Sequence, residues 1–292
     1  MTIFDEMVEA LHPHNKNEKE SAQQEVMQQI ALYGLYRGGF FDHAALYGDT
    51  CLRIFHNLQR YSEDMDFTQT EKDPNIHLEN YFPQIIEAFK LTGREVTIKK
   101  KDKKTFGKVE SAFLKDNTDV YDIAFQTEKT IKVKIELDTD PPLGFETEQK
   151  TLLKPFATMI RCVTLPDLYA GKMHALLYRN WKTRVKGRDW YDFQWYVANR
   201  VPLNFEHLQK RVAEFNGIEL SKEDFLEALH ERLATTDIES VKQDASRFIF
   251  NQRDIEIWSN DYFLKLADMI VYKECFTNII PAELLIARRA VC

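Results

Sequence analysis

The hydrophobic period of this chain changes at Leu165-Pro166-Asp167, and the change divides it into a part that reads as sheet and a part that reads as helix. Before it, short β-rich or alternating runs fall at 44–47, 65–68, 95–100, 109–114, 120–125 and 131–139, with helical spacing at 21–41, behind Gly48, and at 78–91. After it, apolar residues recur every three or four positions over 165–181, 191–199, 205–215, 221–234, 238–250 and 255–272. This order predicts an α+β chain, a mixed sheet flanked by helices and followed by a helical bundle. At 292 residues it exceeds the usual size of one domain, which predicts two, 1–165 and 166–292, with the active site between them and the first two helices of the second closing over it.

Two of the strands carry acids on one face. In Tyr61-Ser-Glu-Asp-Met-Asp-Phe-Thr68, Asp64 and Asp66 share one side and Met65 and Phe67 the other, because side chains alternate along a strand. In Ile131-Lys-Val-Lys-Ile-Glu-Leu-Asp138, Lys132, Lys134, Glu136 and Asp138 share a face opposite Val133, Ile135 and Leu137. Clustered carboxylates repel one another unless a cation sits among them. A pair of Mg²⁺ (or Mn²⁺) ions held by Asp64, Asp66 and Glu136 is the expected answer, with Glu136 chosen over Asp138 because it lies further from Pro141-Pro142. Upstream, the strand Ala44-Ala-Leu-Tyr47 runs into Gly48-Asp49-Thr50 and then a helix. A strand meeting a helix N-terminus through glycine presents free backbone N–H groups to an anion, and Ser62 is a further candidate phosphate contact.

The set Gly48-x-Thr50-x-x-Arg53, Tyr61-Ser-x-Asp-Met-Asp-Phe67, Lys134-Ile-Glu136, Ala170-Gly-Lys-Met-His-Ala-Leu176 and Arg188-Asp-Trp-Tyr-Asp192 resembles the AbiEii/AbiGii nucleotidyltransferase toxin family, over about residues 46 to 195. The resemblance implies the DNA polymerase β-like nucleotidyltransferase fold. It also implies transfer of a nucleoside monophosphate from an NTP to a hydroxyl, with RNA as acceptor, a tRNA 3′ end being one candidate. Such a chain is the toxin of a toxin–antitoxin or phage-defence pair, with a cognate antitoxin as partner. Carried over by position, Asp64, Asp66 and Glu136 bind metal. Gly48, Asp49, Thr50, Arg53, Ser62 and Lys172 contact the nucleotide, and Asp189 orients Lys172 or a substrate hydroxyl. The chain departs from the pattern at Asp49, where the family usually has a second Gly or Ser, and at Glu136, often an Asp.

A formal charge of −7 excludes a general nucleic-acid coat, so RNA would be met by local basic patches, for which the candidates are the 179–188 loop and Lys99–Lys104. The cysteines at 51, 162, 275 and 292 show no metal spacing and read as reduced thiols. With no signal peptide and no run of about 18 apolar residues, the expectation is a cytoplasmic protein without membrane contact. Two rivals remain open: a kinase using the same metals at the γ-phosphate, and a non-catalytic nucleotide- or RNA-binding protein.

Overall fold

The computed structural model describes residues 1–101, 118–126, 131–179 and 185–274. The strand expected at 109–114, residues 102–104 of the lysine-rich turn, Trp181, Lys182, Arg184, Cys275 and Cys292 lie outside the described residues.

The strands β1 (Ala44–Tyr47), β2 (Asp64–Gln69), β3 (Val96–Lys100), β4 (Thr118–Phe125), β5 (Lys132–Asp138), β6 (Thr147–Leu152) and β7 (Thr158–Val163) form one mixed sheet in the order β3-β4-β5-β2-β1-β7-β6. The β2–β5 and β1–β7 pairs are parallel and the others antiparallel. The period of two then sorts the two faces. Met65 and Phe67 of β2 join Val133, Ile135 and Leu137 of β5, all fully buried, on the face covered by α2 (Lys16–Arg37). Each such side chain contributes about 1.5–3 kcal/mol by leaving water. Helix α2 starts where Asn15 accepts from the Glu18 N–H, and it crosses α4 (Phe82–Leu91) at Gly34. A Cβ at Gly34 would stand 2.6 Å from Ile85 Cα, so the close approach of these helices needs glycine.

The opposite face carries Asp64, Asp66, Lys134, Glu136 and Asp138 and is roofed by α3 (Gly48–His56) and α5 (Leu165–Tyr178). Behind α5 come α6 (Gly187–Ala198), α7 (Phe205–Asn216), α8 (Lys222–Thr235), α9 (Ile238–Ala245) and α10 (Asn260–Ala267). One cluster of buried apolar side chains runs from Phe4 through the sheet to Ala267, so these helices share a core with the sheet.

Several elements differ from the sequence reading. Residues 143–164, given no element there, hold the β6–β7 hairpin at the sheet edge. β6 is Thr-Glu-Gln-Lys-Thr-Leu, whose side chains face water for most of its length and leave no apolar alternation to see. Helix α1 (Ile3–Glu9), capped by Thr2, is also additional. The helix expected over 238–250 ends at Ala245, and that over 255–272 shortens to α10, preceded by a 3-10 turn at Gln252–Ile255.

Candidate active site

A cavity of about 270 Å³ opens between the acidic face of the sheet and helices α3, α5, α6 and α7. Its floor is set by the β1–α3 turn. Gly48 has φ +76°, and a Cβ there would meet Asp66 Oδ2 at 2.7 Å, so both backbone conformation and space demand glycine. Thr50, fully buried, donates to the Asp64 carbonyl and shares a 2.8 Å hydrogen bond with Ser62 Oγ. Gln28 holds the Ser62 carbonyl at 2.9 Å. These bonds fasten the first turn of α3 to the start of β2. Ser62, Gly48 and Asp49 line the cavity, whereas Thr50 braces it from behind.

The three acids lie on neighbouring parallel strands. Asp66 is registered opposite Glu136, and Asp64 opposite Lys134. The Lys134 ammonium stands between them, 2.9 Å from Asp64 Oδ2 and 2.7 Å from Glu136 Oε1. Burial, then the charges of Glu136 and Asp64, push the Asp66 carboxyl up to about 8. The site therefore carries more negative charge than one ammonium neutralises, and its donors are hard oxygens, which suits Mg²⁺ or Mn²⁺. With Lys134 among them the ligand oxygens are spread. Among the described residues, the trio that closes to within 4.8 Å is instead His77–Glu79–Asp119, on the other face of β4. There the Lys100 ammonium already lies 3.5 Å from Glu79 and 4.0 Å from Asp119.

Lys172 belongs to a second, charge-balanced cluster. Only 9% exposed, its Nζ lies 2.7 Å from Asp49, 2.9 Å from Asp189 and 2.6 Å from Asp192. Arg60, fully buried, makes a two-pronged pair with Asp192 at 2.7 Å on both oxygens and reaches Asp49 at 2.7 Å. Arg179 closes on the other oxygen of Asp189 at 2.7 Å. Burial opposes ionisation of Asp189, but Arg179 and Lys172 hold its carboxyl down to about 2. Burial likewise opposes the Asp49 charge, and Arg60 and Lys172 hold its carboxyl well below the usual range. Asp49, which breaks the family pattern, is thus neutralised before any phosphate arrives.

The sequence-derived set is therefore divided by the fold. Asp64, Asp66, Glu136, Gly48, Asp49, Ser62, Lys172 and Asp189 all line one cavity. Arg53 does not: its guanidinium pairs with Glu25 at 2.8 Å, donates to the Leu58 carbonyl at 3.0 Å and lies 4.6 Å over the Phe250 ring. Its place in the helix turns it away from the strand ends. Lys172 meets three carboxylates where the resemblance implied phosphate. Arg60 was not singled out from sequence, and Asp192 only as part of a motif. The one available signal was the spacing of Asp189 and Asp192, three apart on α6 and hence on one face. Beyond these groups, Lys186 and Arg188 add positive charge to the cavity wall, and Arg188 is anchored 3.0 Å from Glu63 and 4.2 Å over the Phe248 ring.

A family model described as nucleotidyl transferase AbiEii toxin, Type IV TA system, matches residues 30–266. No curated protein matches the chain. Among solved structures, it is similar to MenT4, a nucleotidyltransferase toxin from Mycobacterium tuberculosis H37Rv, at 14% identity and TM-score 0.59, over 92% of this chain and 89% of that one. A candidate nucleotidyltransferase from H. pylori aligns at 16% identity and TM-score 0.50, over 85% of this chain and 93% of that one. At such identities the structural likeness speaks to the fold.

Proposed function

Because this chain belongs to the AbiEii family of nucleotidyltransferase toxins of type IV toxin–antitoxin systems, we propose that it transfers a nucleoside monophosphate from an NTP to a terminal hydroxyl of RNA, a tRNA 3′ end being the leading candidate. The observation that carries this reading is the register of Asp66 against Glu136, with Asp64 one step along the same face, beneath the Gly48 turn. Asp64, Asp66 and Glu136 would hold the divalent cations, which supply Lewis-acid activation of the attacking hydroxyl and neutralise the leaving pyrophosphate. Glu136 would either ligate or accept the hydroxyl proton.

The rest follows from the chain's own groups. A bond forms between the acceptor oxygen and the α-phosphorus, the bond from that phosphorus to the bridging oxygen breaks, and pyrophosphate departs. The N–H groups of the first turn of α3, whose Gly48 and Asp49 line the cavity, would receive the anionic tail, and Lys186 and Arg188 would offset its charge. Lys172 and Arg60 act by fixing Asp49 away from the phosphates. A cognate antitoxin and a part in phage defence follow from the family in the same proposed sense.

The test is incubation of the purified protein with labelled NTPs, Mg²⁺ and total RNA, beside Asp64→Ala, Asp66→Ala and Lys172→Ala proteins. Label in RNA with release of pyrophosphate, lost by orders of magnitude in the variants, is the expected result. Equal labelling by all four proteins would defeat the assignment. Release of nucleoside diphosphate would mark a kinase instead.

A further inference from the structure

The sheet ends on β6, and among the described residues no strand pairs with its outer side. The hydrogen-bond phase of the β6–β7 ladder fixes which groups point there. Thr164 donates its N–H to the Glu146 carbonyl at 3.0 Å, and the register runs on from Thr147 opposite Val163. Bonded pairs alternate along an antiparallel ladder, so the even-numbered residues of β6 spend both backbone groups on β7. Thr147, Gln149 and Thr151 therefore turn their N–H and C=O groups outward, and all three residues are exposed.

The side chains along this edge are self-complementary. Thr147-Glu-Gln-Lys-Thr151 reads threonine, acid, amide, base, threonine about its centre at Gln149. Glu148 and Lys150 share one face of the strand and pair at 2.8 Å within the chain. A second copy running antiparallel, its Gln149 against this one, satisfies the hydrogen-bond phase, because both glutamines aim their backbone groups into the seam. Glu148 then stands opposite the partner's Lys150, and Lys150 opposite the partner's Glu148, at the non-bonded positions where side chains come closest. A slip of two residues, the smallest that keeps the phase, would set Glu148 against its own copy or Lys150 against its own copy. A lysine on an edge strand ordinarily keeps other strands away; here an acid two positions along answers it.

We propose that two copies of this chain join through β6, antiparallel about Gln149, and so double the seven-stranded sheet. The two-fold axis of such a seam stands perpendicular to the sheet, and residues opposite one another share a face. Both acidic faces accordingly look to the same side of the joined sheet, with the two cavities open alongside each other. One short strand from each copy makes a seam of the size found in weak association, so it forms and parts with protein concentration. The pairing holds whatever reaction the acids of β2 and β5 carry out.

Sedimentation velocity on the full chain over a series of protein concentrations tests it. The wild-type protein should pass from one chain to two per particle as concentration rises, and added salt should favour the single chain. Gln149→Pro removes an outward N–H without touching the bonds to β7, so it should weaken pairing by about tenfold or more while the thermal melt is kept. Glu148→Lys and Lys150→Glu proteins should each stay single, since like charges then meet across the seam, yet pair with one another when mixed. Misfolding of either variant could not produce that last result. A wild-type protein that remains a single chain at every concentration would overturn the proposal. So would pairing that Gln149→Pro leaves intact, complementary variants that fail to associate, or slow exchange of the Gln149 amide in a single chain, which would mean that something else covers the edge.

Discussion

The side chain of Lys134 occupies the position between Asp64 and Glu136 that the proposed divalent cations would share. It is paired with Asp64 and Glu136 at 2.9 and 2.7 Å, so a metal bound there would displace or crowd a positive charge. Replacement by methionine keeps the bulk and removes the competition. The Lys134→Met protein should bind Mg²⁺ or Mn²⁺ about tenfold more tightly by calorimetry, and in chelator it should melt earlier, because three carboxylates then face each other unrelieved. Unchanged metal affinity would exclude Lys134 from this role. At the same scale, Asp189 makes stability depend on pH. Its folded carboxyl is held at about 2 against about 3.9 unfolded, so its contribution of about 2–3 kcal/mol is complete above pH 4 and fades as pH falls towards 2. Urea titrations should show Asp189→Asn markedly weaker than wild type at pH 7 and the gap closing below pH 4; a constant gap would refute the linkage. The face shared by Asp64, Asp66 and Glu136 was legible from alternation alone. The partners of Lys172 were not, because Asp49 lies 123 positions away along the chain and only the fold brings them together.

Helix α6 shows how an element transmits its position to the site. Gly187, its first residue, packs so closely on α9 that a Cβ would stand 2.1 Å from the Val241 carbonyl oxygen and 2.7 Å from the Ala245 nitrogen. Its N–H is held by Asp244 at 2.9 Å. Gly187→Ala should therefore force α6 and α9 apart, lower stability by about 1–3 kcal/mol, and move Asp189 and Asp192 with the helix. Thermal melts and the labelling assay should fall together; a full-activity protein with an unchanged melt would contradict the packing. Sequence period was a good guide to elements with a buried stripe, such as α7 and β5. It failed at β6, whose polar alternation faces solvent, and at α9 and α10, where apolar spacing continues into turns that end the helices. Nothing in local period reports where a helix meets its neighbour's backbone.

Across the whole molecule, the division at Leu165 is one of secondary structure, while the buried cluster passes straight over it. A fragment ending at residue 165 would keep every described strand but lose α5, and with it Lys172, which neutralises Asp49 alongside Arg60. Arg60 would lose Asp192 as well. Such a fragment should lack a cooperative melt and a near-ultraviolet dichroism signal; a sharp two-state transition would show that the sheet half stands alone. The same ion cluster bears on how the cavity wall is held together. Arg60, Lys172 and Arg179 bolt the β1–α3 turn to α5 and α6 through desolvated charges, and parting them costs several kcal/mol. The turn and the two helices are accordingly joined as one wall of the cavity, so losing any one of these cations should be felt on both sides of that union.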